Sequence, residues 1–273
     1  MHKIFQNFLY LKQPLVSSVR QRYLLGTFIK RIVQDKVVGS MGGSWWTFIE
    51  PLSTVLVYII LFSTIITVNV SIEETGTDKF SIFFLCGFIP WFFFSESLTN
   101  SANVLLTNAN LITKVIFPVE LLPLAVIASS LIASGVCLFF FLIYIVFADY
   151  FHICWFYLFL LVPLFILFTT GISYFLAAAG VFFRDTENLL RILLMVLFFS
   201  TPIVYPLSNL PEDMSYLLSF NPMVLFIENF RAILLVHTID WSDFVKIIFL
   251  SILSYGLGTF FFMKTKNGFG DII

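Results

Sequence analysis

The 273-residue sequence offers few side chains able to do chemistry, and their spacing excludes most reaction types. His2, His152 and His237 have no second His or Cys at the short offsets of a zinc site. Cys86, Cys137 and Cys154 are odd in number and lie in or beside apolar runs, which reads as small hydrophobes in helices, not a disulfide or metal framework. Glu50, Glu96 and Glu120 stand near the ends of apolar runs with no obvious partner. Glu96 is the best placed for a coupling carboxylate, and a structural hydrogen bond is the simpler reading. There is no G-x-x-x-x-G-K-[ST] loop to cradle phosphates, no G-x-S-x-G elbow and no H-E-x-x-H helix. Gly39, Gly42 and Gly43 cluster without a following strand–helix unit and read as a flexible elbow. Catalysis within this chain is not expected, and neither a cofactor nor a metal is expected on it. A membrane glycosyl- or acyltransferase would need a convergent acid, base or metal cluster.

One charged pair stands out. Glu228 and Arg231 are three residues apart, a spacing that suits one helix face. A structural ion pair is the first reading and a gate latch the second.

The elements that position these residues follow from composition. Only 31 residues are Asp, Glu, Lys or Arg, 11% of the chain against about 25% in an ordinary soluble domain, while 59% are hydrophobic and 36 are Phe. So few charges cannot cover a water-exposed surface, and so much apolar area excludes disorder. The chain reads as an all-α membrane protein. A net charge of −1 gives no basic face for nucleic acid.

A spanning helix needs about 20 mostly apolar residues. Six transmembrane helices are expected near 48–70, 80–100, 119–148, 153–181, 190–208 and 243–263. Between spans five and six, Pro202, Pro206, Pro211 and Pro222 break the helical pattern, and a full-length helix would have to carry Glu228 and Arg231. Residues 202–240 are therefore read as a re-entrant outer hairpin, not a seventh span. With both termini cytoplasmic, 12 of the 15 basic residues fall inside and only Lys79, Arg231 and Lys246 outside, as the positive-inside rule requires. Residues 1–47 lack the short apolar stretch and cleavage site of a signal peptide. Leu25, Phe28, Ile29, Ile32 and Val33 recur there at helical spacing among basic residues, which predicts an N-terminal amphipathic interface helix on the inner leaflet. The organisation is thus 1–47 cytoplasmic, 48–263 transmembrane and 264–273 a cytoplasmic tail.

Several strings occur in a telling order: GSMGGSWW at 39–46, GFIPWFFF at 87–94, NLITKVIFP at 110–118, FFRD at 182–185, TPIVYP at 201–206 and NPM at 221–223. Together they resemble the membrane subunit of ABC-2 transporters, in particular permeases that export lipid-linked O-antigen, capsular polysaccharide or teichoic acid. The chain departs from the family pattern at Lys36-Val37 and Gly42-Gly43, where relatives usually carry Arg-Tyr and Leu-Gly.

The resemblance implies a homodimeric permease in the bacterial cytoplasmic (inner) membrane, with two copies of a separate P-loop ATPase that bind ATP and Mg. It implies a coupling segment at 102–118, with Asn110, Lys114, Phe117 and Pro118, and a second ATPase contact at Arg184 and Asp185. It implies that the hairpin around Thr201, Pro202, Tyr205 and Pro206 closes the outer exit. Phe92, Phe93, Phe94, Tyr205, Trp45 and Trp46 are candidates for stacking on sugar rings, with Glu228 and Arg231 at the gate. Lys30, Arg31 and Lys36 are candidates for the head group of a lipid-linked polysaccharide or of membrane lipid, and topology signalling explains them equally well. A small hydrophobic drug or peptide is the alternative cargo within the same architecture.

Overall fold

The computed structural model describes residues 12–14, 16–35, 45–65, 72–114, 117–218 and 220–273. Lys36 and the glycine cluster at 39–43 lie outside the described residues, as do positions 115 and 116 of the coupling segment.

The described chain is all-helical, without strands. Helix α1 spans Arg22–Asp35. Helix α2, Trp46–Ile60, continues as a π-turn over Leu61–Ile65. Helix α3 covers Phe80–Thr107 and the short α4 covers Ala109–Lys114. Helices α5, Leu121–Phe147, and α6, Leu158–Phe182, follow, the latter entered through a 3₁₀ turn at Ile153–Tyr157. Helix α7 is Thr186–Phe199. Then come α8, Glu212–Leu218, and α9, Pro222–Arg231, which runs into a π-turn at Ala232–Val236. Helix α10 is Trp241–Thr265.

Among the described residues, four helices are long and apolar enough to cross a bilayer: Phe80–Thr107, Leu121–Phe147, Ile153–Phe182 and Trp241–Ile272. The described parts of the other two expected spans are shorter. The apolar part of the first is Ile49–Thr64, and the expected span's end at 66–70 lies outside the described residues. The fifth is the 14-residue α7, which rises about 21 Å against a hydrocarbon core of about 30 Å. It starts before the expected residue 190 and ends before 208, because the chain turns at Ser200–Tyr205, where Pro202 removes a donor.

Helix α3 is the centre of the bundle, with 19 of its 28 residues buried. It crosses α6 so closely that a Cβ on Gly180 would lie 2.0 Å from the Ala102 carbonyl oxygen. Helices α6 and α10 approach more closely still. A Cβ on Gly258 would lie 1.8 Å from the Gly171 carbonyl oxygen, and Ser254 Oγ donates to the Phe168 carbonyl at 2.8 Å. Small residues at such crossings let backbones touch in a membrane, where lipid gives helices no hydrophobic reason to associate.

The amphipathic pattern of the N-terminal segment is realised in α1, but protein covers its apolar face. Phe28 is buried in a cluster with Val104, Leu122 and Val126, and Leu24, Leu25, Ile29 and Ile32 pack around it. Lys30 and Arg31 lie on the exposed side, with Arg31 Nε 3.5 Å from Asp35.

Candidate functional site

The segment after α7 has to satisfy a run of backbone groups that no helix pairs. Ser200 to Tyr205 form turns, and Thr201, Pro202 and Ile203 are buried. Buried carbonyls without partners are costly, most of all at membrane depth. Arg231, at the C-terminal end of α9, supplies the donors. Its Nη1 donates to the Pro202 carbonyl, and its Nη2 to the Ile203 carbonyl at 3.1 Å and the Phe83 carbonyl of α3 at 3.4 Å. Nη1 also meets Glu228 Oε1 at 2.9 Å. The guanidinium carbon sits 3.6 Å from the centroid of the Phe83 ring. Gly87, one turn along α3, leaves the space: a Cβ there would come within 2.9 Å of Nη2.

Only an arginine presents this many donors in a rigid planar fork. The ion pair with Glu228 is therefore one contact among several. The Arg231 side chain is 4% exposed and that of Glu228 38%, so the carboxylate reaches water while the guanidinium is committed to backbone oxygens. Arg231 pins the 201–203 turn, α9 and α3 together.

Other side chains complete the turn. Asn221 caps α9 by accepting from Met223 N–H at 3.0 Å, next to Pro222 at the first helical position. Its Nδ2 donates to Thr201 Oγ1 at 3.0 Å. Tyr205 Oη donates back to the Phe199 carbonyl at 2.8 Å, and both Tyr205 and Pro206 are half-buried. Thr201, Pro202, Glu228 and Arg231 are thus brought into one assembly, with Tyr205 and Pro206 on its margin.

The aromatic candidates separate. Phe93 and Phe94 lie in the core between α3 and α6, against Phe165 at 5.6 and 6.3 Å. They present no open face to a sugar. Phe92 is half-buried and continues a ladder through Phe88 and Phe84 to Tyr58 of α2. Trp45 and Trp46 are exposed at the start of α2.

At the other end of the bundle, Arg184 and Asp185 are exposed at the tip of the α6–α7 turn, and Asn110 and Lys114 are exposed on α4. Phe117 is not free: its ring meets Phe28 of α1 edge-on at 5.1 Å. Pro118 is half-buried beside it. The joint behind this face is Glu120, 2% exposed. It accepts from Lys266 Nζ at 2.5 Å and from Ser17 Oγ at 2.8 Å, while its carbonyl accepts from Tyr174 Oη at 2.9 Å. The N-terminal segment, the start of α5, α6 and the C-terminal tail meet at this residue. Sequence reasoning left Glu120 without a partner, because Lys266 lies 146 residues away.

The histidines also meet across the fold. The rings of His152 and His237 stack at 4.4 Å, and Cys154 Sγ donates to the His237 carbonyl at 3.2 Å. His237 takes a left-handed backbone conformation at φ 61°. Burial first, and then the neighbouring His152, hold its pKa below the usual 6.5, against a backbone hydrogen bond to Ile233. Among the described residues, no group of three or more His, Cys, Asp or Glu is placed to hold a metal ion.

Residues 23–235 match the family described as ABC-2 type transporter. The chain is 29% identical over 269 residues to the O-antigen export system permease protein RfbA of Myxococcus xanthus, covering 95% of this chain and 100% of the relative. It is 25% identical over 268 residues to the protein of the same name from Klebsiella pneumoniae, covering 94% and 100%. It is 28% identical over 189 residues to the polysialic acid transport protein KpsM of Escherichia coli, covering 68% and 71%.

Proposed function

The chain belongs to the ABC-2 type transporter family, and from that premise we propose that it is the permease subunit of an ATP-driven exporter of a lipid-linked glycopolymer across the bacterial cytoplasmic membrane. The observation that carries this reading is the end-to-end alignment with permeases of O-antigen export, which covers the whole of each relative and nearly all of this chain.

In this reading six helices span the membrane with both termini in the cytoplasm. Helix α7 completes the fifth crossing together with the turn and short helices that follow it, and 202–240 form a re-entrant hairpin at the outer side. Two copies pair around a central path. A separate ATPase, two copies per complex with ATP and Mg, docks on the face that carries Asn110, Lys114, Arg184 and Asp185. Movement of that face reaches the bundle through the Glu120–Lys266–Ser17 joint, since a buried, fully bonded carboxylate cannot be displaced without its partners. At the outer side the Arg231 clamp keeps the 201–203 turn fixed on α3, so opening involves either the whole clamped unit or its release. The exposed Lys30 and Arg31 lie where anionic head groups gather.

Gentle purification of the tagged protein from its native membrane tests this reading. A stoichiometric P-loop subunit and vanadate-sensitive ATP hydrolysis are expected. A clean preparation with no ATPase in several mild detergents refutes it.

A further inference from the structure

Beyond α10, a 3₁₀ turn at Lys266–Gly268 leads into a last short helix, α11, Phe269–Ile272. Asn267, Gly270, Asp271 and Ile272 are exposed, and among them the Phe269 ring is fully buried. One aromatic between two glycines supplies most of the apolar area that this segment buries, and so acts as its anchor. Upstream, Lys266 is tied to the buried Glu120 at 2.5 Å, which fixes where the chain leaves α10.

The ring is held from two sides. It meets Phe262 of α10 edge-on at 5.4 Å and Phe182, at the end of α6, edge-on at 6.1 Å. Phe182 leads directly into the α6–α7 turn that carries Arg184 and Asp185. Helix α11 also lies beside α4. Leu111 and Ile112 of α4 pack on the buried cluster to which Phe269 and Val181 of α6 belong. Phe269 thus adjoins both segments proposed above to meet the ATPase. Neither segment can hold its place alone. Helix α4 has six residues, none of them buried, far short of the length at which a helix persists unaided. The tip of the α6–α7 turn is exposed from Phe182 to Asp185.

We propose that Phe269 is the positioning residue that keeps α4 and the α6–α7 turn in one register, so that the ATPase meets one face instead of two independent segments. This deepens the export reading: the docking role rests on it, and the packing around the ring does not. A load on either segment is then shared with the other and, through Lys266, with Glu120 at the start of α5.

Hydrogen exchange tests the link in protein purified gently from its native membrane, read on peptides covering 109–114, 182–188 and, as a reference within the bundle, 166–178. Phe269→Ala is expected to raise exchange at least about tenfold in the first two and to leave the reference within about threefold. Phe269→Leu, which keeps most of the apolar bulk, should restore most of the protection. Gly270→Ala, with open space around its new methyl, should match wild type. Phe182→Ala cuts the same contact from the other side at a residue 40% exposed, and so keeps the test open if Phe269→Ala does not fold; it should loosen 109–114 as well as its own turn. An equal rise in all three peptides would make the ring a general support of the fold, and a rise in only one would leave the two segments unlinked. Either result, or wild-type exchange in Phe269→Ala, overturns the proposal. The docking role is read in the same samples as ATPase subunit retained per chain, which should fall at least about fivefold in Phe269→Ala and stay within about twofold in Phe269→Leu and Gly270→Ala. Full retention in Phe269→Ala overturns that role. A wild-type preparation with no ATPase refutes the export reading instead, and exchange then still decides whether the ring links the two segments.

Discussion

Replacing Arg231 with Met separates two accounts of the segment from Ser200 to Ala232. If the Glu228–Arg231 pair were the functional unit, Glu228→Gln and Arg231→Met would do similar harm. The geometry says otherwise. Met keeps most of the apolar stem but withdraws every donor, stranding the Pro202 and Ile203 carbonyls in a buried turn and removing the guanidinium from Phe83. An unsatisfied buried carbonyl costs about 1–3 kcal/mol and a desolvated cation–π contact about 2 kcal/mol. Relief from burying the guanidinium offsets part of this, so a local loss of about 3–5 kcal/mol is expected, the range seen when one partner of a buried ion pair is removed. Glu228, more than a third exposed, contributes about 1 kcal/mol or less. Hydrogen exchange read on peptides covering 200–206 and 222–232 measures the difference. Opening of this segment should rise by about two to four orders of magnitude in Arg231→Met and by less than about tenfold in Glu228→Gln. Arg231→Lys should fall between them, since an ammonium cannot fork to carbonyls on two elements. Equal exchange in the Met and Gln variants would refute the clamp.

Three further outcomes follow from the geometry. Gly258→Val should destabilise the purified protein by more than about 3 kcal/mol, because its Cβ lands 1.8 Å from backbone that cannot move aside; Gly256→Ala, with open space around it, should be neutral within about 1 kcal/mol, both read as Tm in detergent. Lys266→Ala leaves Glu120 charged and 2% exposed, and should cost about 3–5 kcal/mol, while adding Glu120→Gln restores part of it; simple additivity in that double-mutant cycle would show that the two do not interact. His237 has a native pKa below 6.5, so the unfolded or opened form takes up the proton first. The stability it contributes is complete above pH 6.5 and declines as acidification passes down through its lower native value, a drift that His237→Gln should abolish in exchange of residues 232–238.

What could be read from sequence was whatever a local pattern carries. The uncharged runs gave the long helices, and the prolines at 202 and 206 marked where α7 could not continue. The stripe through Leu25, Phe28 and Ile32 gave an amphipathic helix, but a periodic pattern does not say whether lipid or protein covers it; α5 does. Phe92, Phe93 and Phe94 are indistinguishable as letters, because a helix apolar all round has no readable face; only the neighbouring α6 assigns Phe93 and Phe94 to the core. The joints were illegible for another reason. Glu120 finds Lys266 146 positions away and Arg231 finds Phe83 148 positions away, and three of Arg231's acceptors are backbone carbonyls, which every residue possesses.

So apolar a chain has few ways to hold a non-helical turn; under the export reading proposed above, that turn would serve as the outer gate. A gate held by side-chain ion pairs would need matched charges at membrane depth, and this sequence has almost none to spare. A turn held by one arginine on backbone oxygens needs a single charge, and the carbonyls come from the proline-broken turn itself. The turn and the arginine are therefore one device: Pro202 and Pro206 lack the N–H groups that a continuing helix would turn to the Phe198 and Pro202 carbonyls, and Arg231 supplies the donors that make the unpaired geometry tolerable. Removing Pro202 alone should let α7 extend by part of a turn and pull the segment away from α3, and Arg231, left with Glu228 and Phe83, should become the costly group. A Pro202→Ala variant that exports normally, with the hairpin as protected as in wild type, would show that the two are independent.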